Sequence, residues 1–378
     1  MTDCVLTLNA GSSSLKFALF DAGATASPRL AGQVDGLGSG AQPSSHADAV
    51  AQVLRQVSVE PAIRLVAVGH RVVHGGTVFD QAALIDPAVL TALQALAPLA
   101  PLHQPHNLAG ISAAQQAFAG VPQVACFDTA FHRHQPQVQQ RFALPERWHQ
   151  AGIQRYGFHG LSYQSICEQL AAVEPALAQG KLVVAHLGNG ASMCAIEAGR
   201  SITATMSFSP LDGLTMGTRC GRLDPAAVLH LIDHHGLSSA AVGRLLQAES
   251  GLLGLSGESA DMRQLLASPS AAAALAIEHF VESVLRELGS LSATLRGIDG
   301  LVFTGGIGQH AASLRARICI GAAWLGIAID EAANRAATAE NPRLNGAGSR
   351  VQVRVMQTNE EAVIARQTLA ALARPKPT

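Results

Sequence analysis

Val5-Leu6-Thr7-Leu8-Asn9-Ala10-Gly11-Ser12-Ser13-Ser14-Leu15-Lys16-Phe17 reads as an apolar strand, a tight Gly/Ser turn and a returning strand. The pattern recurs mid-chain, where a strand at 182–187 runs into Gly188-Asn189-Gly190 and a strand at 193–196 returns. Two hairpins of one design fit a duplicated two-domain fold, although Gly/Ser hairpins also recur by chance in a glycine-rich chain. Outward from these, apolar runs at 65–68, 121–127 and 301–304 end at Gly69-His70-Arg71, at Asp128 and at Gly305-Gly306-Ile307-Gly308. A last alternating run, 351–356, precedes Thr358-Asn359-Glu360-Glu361. Helical spacing covers 106–118, 224–234, 240–248, 271–295, 311–323 and 360–373. Strands alternating with helices predict an α/β protein. The Gln-rich stretch 132–150 is the expected interdomain boundary, and 36–46 and 341–350 read as surface loops.

Composition narrows the function. At about 150 residues per domain, 378 residues suggest two or three. Hydrophobic residues at 48% against 14% charged support a large core. The balance of 26 Lys+Arg and 27 Asp+Glu gives a net charge of -1, without the basic surplus of a nucleic-acid binder. Mean hydropathy is +0.23, yet no charge-free apolar stretch reaches the roughly 18 residues of a membrane span. The nearest, 82–102, is broken by Asp86, Pro87, Pro98 and Pro101. Met1-Thr2-Asp3-Cys4 lacks the cationic start of a secretory signal. Six cysteines form no CxxC pair, which fits reduced thiols in a cytoplasmic protein.

Chemistry concentrates at the strand ends. Glycine turns present backbone N–H groups to anions, and three follow strands here: 9–14, 188–190 and 305–308. Neither GxxxxGK[ST] nor GxGxxG occurs, which argues against a P-loop or dinucleotide site, while Lys16 stands within reach of the first turn. Arg71, in Gly69-His70-Arg71-Val72-Val73-His74-Gly75-Gly76, and Arg219, in Gly217-Thr218-Arg219-Cys220-Gly221-Arg222, suit carboxylate or phosphate. His159, between Gly157-Phe158 and Gly160, is an anion donor or a satisfied core histidine. Asp128 closes an apolar run. Glu360 is either a helix-dipole partner or a Mg²⁺ contact, and Thr358 with Glu361 forms a capping-box pattern. The 15 histidines include no HExxH.

Taken in order, these segments resemble the acetate kinase (acetokinase) family. The first hairpin, 69–76, Phe127-Asp128-Thr129-Ala130-Phe131-His132, Tyr156-Gly157-Phe158-His159-Gly160 and His186-Leu187-Gly188-Asn189-Gly190-Ala191-Ser192 carry the resemblance. Met216-Gly217-Thr218-Arg219, Phe303-Thr304-Gly305-Gly306-Ile307-Gly308 and 358–361 complete it. It implies an α/β fold of two related actin-like (ribonuclease H-like) domains with a nucleotide cleft between them. The domains would comprise 1–131 plus 361–378, and 132–360. It implies reversible transfer of the ATP γ-phosphoryl group to acetate, giving ADP and acetyl phosphate, by a cytoplasmic homodimer. Asn9 and Glu360 would hold Mg²⁺, or Mn²⁺ in its place. Ser12, Ser14 and Lys16 would face the phosphates, and Arg71 and Arg219 would clamp the carboxylate and the phosphoryl group. His159 would stabilise the transition state. Asp128 would act beside them, orienting more than deprotonating, because acetic acid is already ionised at pH 7. Val73, Leu102, Phe158 and Pro210 would form the methyl pocket. The segments 186–190 (His186, Leu187, Gly188, Asn189, Gly190), Asp261-Met262-Arg263 and 305–309 (Gly305, Gly306, Ile307, Gly308, Gln309) would line the ATP site. Gln309-His310 replaces the family's Glu-Asn, which leaves purine preference and the phosphoryl donor open, and Cys220-Gly221-Arg222 replaces Ser-Gly-Asp, which adds a positive charge near Arg219. Propionate or butyrate kinase, or a nucleotide-switched actin/Hsp70-like protein, are the alternatives.

Overall fold

The computed structural model describes residues 1–11, 14–37, 45–60, 62–338 and 341–374. Ser12 and most of the 36–46 loop lie outside the described residues. The chain divides into two compact units. Unit 1 comprises Met1–Arg133, Gly160–Ser165 and Asn359–Thr378, and unit 2 comprises His134–His159 and Ile166–Thr358. Residues 160–165 thus lie with unit 1 rather than in the expected C-terminal domain. The Gly160 N–H donates to the Asp128 carbonyl at 2.9 Å, and Leu161 packs with Val124, Cys126, Val363 and Ile364.

The sheet of unit 1 contains β1 (Thr2–Ala10), β2 (Ser14–Asp21), β3 (Leu30–Asp35), β4 (Ile63–Val72), β5 (Ala83–Leu84) and β6 (Gln123–Phe127), in the order β3-β2-β1-β4-β6-β5. β1 runs antiparallel to β2 and parallel to β4, which runs parallel to β6. Period-two alternation sorts β1 between two cores. Cys4, Leu6, Leu8 and Ala10 pack with Ala49, Val50 and Val53 of helix His46–Ser58 and Ala114 of helix Gln104–Ala117. On the other face, Val5 packs with Ala362 and Ala365 of the last helix, Glu360–Leu372. That helix comes so close to β4 that a Cβ at Gly69 would overlap Thr368 Oγ1 and Ile364 Cγ2. Its cap corrects the sequence expectation. Asn359, not Thr358, is the N-cap, its Oδ1 accepting the Ala362 N–H at 3.0 Å.

β4 also runs further than the apolar run 65–68 predicts. Pairing with β1 and β6 on its two sides carries it through Gly69 and Arg71 to Val72. The extension buries two neutral histidines, His70 in β4 and His74 just beyond it. His70 Nε2 donates to Gln123 Oε1 at 2.7 Å, and His74 Nδ1 accepts the Gly76 N–H at 2.9 Å. Burial lowers both imidazoles to about 4. Each binds a proton near pH 6.5 when unfolded but only near pH 4 when folded, so its stabilisation is complete above pH 6.5 and lost as pH falls to 4. Acidification from pH 7 to 5 should therefore cost about 2 kcal/mol per histidine. Urea unfolding at the two pH values measures this, and His70→Asn should remove about half of the pair's contribution.

Unit 2 repeats the plan. Its strands are β7 (Lys181–Leu187), β8 (Ala191–Glu197), β9 (Arg200–Ala204), β10 (Gly300–Thr304) and β11 (Gln352–Val355), in the order β11-β10-β7-β8-β9. β7 and β8 are antiparallel, as are β8 and β9, while β10 is parallel to both β7 and β11. This is the order and sense of β6-β4-β1-β2-β3, so the two hairpins of the sequence open equivalent sheets. The helix Ala271–Leu295 occupies its expected span, capped by the Ser270 side chain and ended by Arg296 at φ 59°. The segment 341–350 is more than a surface loop. Leu344 is fully buried, and Asn345 and Arg343 form bridges to Ile329 and Arg354. Among the described residues no helix is long and apolar enough to cross a membrane.

Candidate active site

In open α/β sheets, ligands gather beyond the carboxyl ends of the parallel strands. In unit 1 those ends carry Asn9 on β1, Arg71 on β4 and Asp128 just after β6. Arg71 Nη2 donates to Asp128 Oδ2 at 2.6 Å, Nε lies 3.1 Å from both carboxylate oxygens, and Nη1 donates to Asn9 Oδ1 at 3.1 Å. Burial opposes the charge on Arg71, but Asp128 and Glu360 outweigh it, and the guanidinium stays protonated. Glu360, in the first turn of the last helix, completes the group. Burial raises its carboxyl above the ordinary range, Arg71 pulls it down, and Asp128 and Glu361 push it up again. Ser14 and Lys16 lie on β2, with Lys16 paired across the hairpin to Asn9. Val73 is buried, whereas Leu102 is half exposed.

Unit 2 carries a second group at equivalent strand ends. His159 precedes the helix Gly160–Val173 in a left-handed conformation (φ 59°, ψ 24°), which costs a residue with a Cβ about 1–2 kcal/mol. Its Nδ1 lies 2.8 Å from Ser192 Oγ on β8, and its ring stacks on His186 of β7 at 4.4 Å between centroids. Arg219 is held through Nη1, which donates to the Pro210 carbonyl at 2.7 Å. The Arg219 and His159 side chains converge on Gly190. A Cβ there would lie 3.3 Å from Arg219 Nη2 and 3.6 Å from His159 Nε2. The space beside Gly190 is thus bordered by both side chains, a nook that a methyl would narrow. Gly190→Ala should lower kcat/KM for ATP about 10–100-fold, measured as initial rates below saturation. Unchanged rates would move the phosphoryl group away from this nook.

The glycine loops of unit 2 adjoin each other. Gly305 has φ +77°, and a Cβ on it would lie 2.6 Å from the Leu187 carbonyl oxygen; a Cβ on Gly188 would lie 4.0 Å from the Gly306 nitrogen. Gly217 donates its N–H to the Asn189 carbonyl at 3.1 Å. Ile307 and Gln309 lie on the short helix Gly305–His310, which the fully buried Arg315 ties down through the Gly308 and Gln309 carbonyls at 2.9 and 2.6 Å. The other predicted residues take these places. Asp261 caps the helix Met262–Ala267 and pairs with Arg263, itself exposed, while Met262 is buried. Phe158 is buried and Pro210 half-buried in unit 2. Arg222 lies 3.8 Å from Glu287, which offsets the charge it adds to the Arg219 segment. Sequence patterns missed Ser192, Arg315 and the buried Asn107, because their partners lie on other elements.

Paired ribonuclease H-like sheets with charged groups and glycine turns at their strand ends define a two-domain α/β protein of the actin type. The family model described as the acetokinase family matches residues 4–366, and the chain belongs to that family. It is similar to acetate kinase of Methylocella silvestris, at 48% identity over 98% of both chains, and to that of Rhodopseudomonas palustris, at 47% over 97% and 98%. Among solved structures it resembles Porphyromonas gingivalis acetate kinase, with a TM-score of 0.87, 32% identity and coverage of 98% and 100%. A propionate kinase from Francisella tularensis gives a TM-score of 0.90, 37% identity and coverage of 97% and 99%.

Proposed function

We propose that this enzyme transfers the γ-phosphoryl group of ATP to acetate, reversibly and in line. A carboxylate oxygen attacks phosphorus, the bond to the β,γ-bridging oxygen breaks, and its electron pair leaves with ADP. The observation that carries this reading is the Arg219–His159 nook on Gly190, in a chain similar to acetate kinases over nearly its whole length. Two anions must meet along one line, and the cost is electrostatic. The pairing of Arg71 with Asp128 and Asn9 leaves, among the described residues, two of its five N–H groups for the acetate carboxylate. Arg219 and His159 would serve the phosphoryl oxygens, and 186–190, Asp261-Met262-Arg263 and 305–309 the nucleotide. Asp128, already taken by Arg71, would orient that guanidinium rather than remove a proton.

The oxygen donors of Asn9 and Glu360 fit Mg²⁺, which keeps several waters and takes one or two carboxylates plus substrate phosphates. No group of three or more His, Cys, Asp or Glu able to cage a metal occurs among the described residues, consistent with such a shared site. Bound there, the ion would offset phosphate charge. A homodimer and a cytoplasmic location belong to the same proposal, supported by the family resemblance and by six free cysteines.

Trapping the acyl phosphate with hydroxylamine, with acetate, propionate and butyrate as acceptors, tests the reading. Hydroxamate from acetate supports it, and none from any acid sinks it. Propionate is the second reading, because of the likeness to a propionate kinase and because one methylene discriminates by only about 1–3 kcal/mol. ATP, GTP and pyrophosphate tested as donors would show what Gln309 and His310 select.

A further inference from the structure

The parallel ladder between β1 and β4 ends at the pair Leu8–His70. Asn9, Ala10, Arg71 and Val73 all lie beyond it, where strand hydrogen bonds no longer hold the two segments in register. One buried side chain takes over. Asn107, on the helix Gln104–Ala117, accepts the Val73 N–H through Oδ1 at 3.0 Å and donates through Nδ2 to the Ala10 carbonyl at 2.9 Å. Its partners have opposite polarity, so the orientation of the amide is determined. The helix runs close beneath the turn, since a Cβ at Gly110 would lie 3.1 Å from Ala10 Cβ. A second helix helps, with His46 Nε2 lying 3.0 Å from the Gly11 carbonyl.

We propose that Asn107 is a positioning residue for the reaction, an amide clamp that continues the β1–β4 register past the end of the ladder. It would hold the turn after Asn9 against the segment 71–73, so that the phosphate turn and the carboxylate arginine stay aligned. This rests on the function proposed above. Aspartate in its place keeps the acceptor for Val73 but sets a carboxylate oxygen against the Ala10 carbonyl. Leucine leaves both backbone groups buried without partners, and such groups move to find them. Either change shifts the turn relative to Arg71 without touching the nucleotide loops of unit 2.

The test compares full-length Asn107→Leu and Asn107→Asp with Val53→Ala, a buried cavity variant on helix His46–Ser58 that leaves the clamp intact. Hydroxamate formation at saturating acetate and ATP should fall 30-fold or more in both Asn107 variants. The ADP Kd from calorimetry should stay within threefold, and Val53→Ala should keep kcat within threefold despite a lowered Tm. Asn107→Asp carries the test if the leucine variant does not fold. Asn107 variants no slower than Val53→Ala, or an ADP affinity that falls in step with kcat, would overturn the clamp. A wild-type chain that makes no acyl phosphate would overturn the function and the clamp together.

Discussion

Arg71→Ala is expected to cut acetate turnover about 10³-fold or more and to lower the unfolding free energy by about 3–5 kcal/mol. The first effect follows from removing the charge that would hold the acetate carboxylate against the γ-phosphate. The second comes from Asp128, whose side chain is only 2% exposed and would be left as an unpaired buried carboxylate. The effects separate in a double variant. Arg71→Ala with Asp128→Asn removes the stranded charge and should recover most of the stability but none of the turnover. Hydroxamate assays and urea denaturation of the wild type and the two variants measure both. Turnover within tenfold of wild type in Arg71→Ala would place the carboxylate clamp elsewhere.

Gly305→Ala should act on the other substrate. A left-handed backbone costs alanine about 1–2 kcal/mol. The new methyl would also lie 2.6 Å from the Leu187 carbonyl oxygen and 2.9 Å from its carbon, both fixed backbone atoms. The loop after β10 must move away from the end of β7, and 188–190 would lose its neighbour. The KM for ATP should rise about 30-fold or more, equivalent to roughly 2 kcal/mol, with the KM for acetate within threefold. Gly306→Ala is the matched comparison, because nothing lies within 4 Å of a Cβ there. It reports on room for the nucleotide rather than on loop geometry. If both variants bind ATP normally, this loop is not part of the nucleotide site.

Much of the architecture was legible because period-two and 3.6-residue patterns are local. The hairpin at 5–17 and the helix at 271–295 stand where spacing put them. β3 and β9 escaped notice because Leu30-Ala31-Gly32-Gln33-Val34-Asp35 and Arg200-Ser201-Ile202-Thr203-Ala204 are short edge strands with mixed polarity. β4 was underestimated because Gly69 and Arg71 look like turn and loop residues until strands flank both sides. Within the candidate site, Arg71, Asp128 and Asn9 are brought together as their motifs suggested. What supports them was not legible. Asn107 meets Ala10, and Arg315 meets Asn334, only through the fold. Thr358 was read as the cap because a hydroxyl three residues before a glutamate fits the pattern, but the backbone turns one residue later.

The last helix has a consequence for how the chain is made. Unit 1 contains β1, which leaves the ribosome before the strands of unit 2, and also the segment beginning at Asn359, which leaves after them. Val5, Ala18 and Phe20 must wait for Ala362 and Ala365 before that side of the sheet is covered. The strands of unit 2 all lie within Ile166–Thr358, so its sheet can close during translation while the first sheet is still bare on one face. Nascent unit 1 is therefore the vulnerable half, and chains stalled before residue 360 should be the ones that chaperones hold and proteases clear.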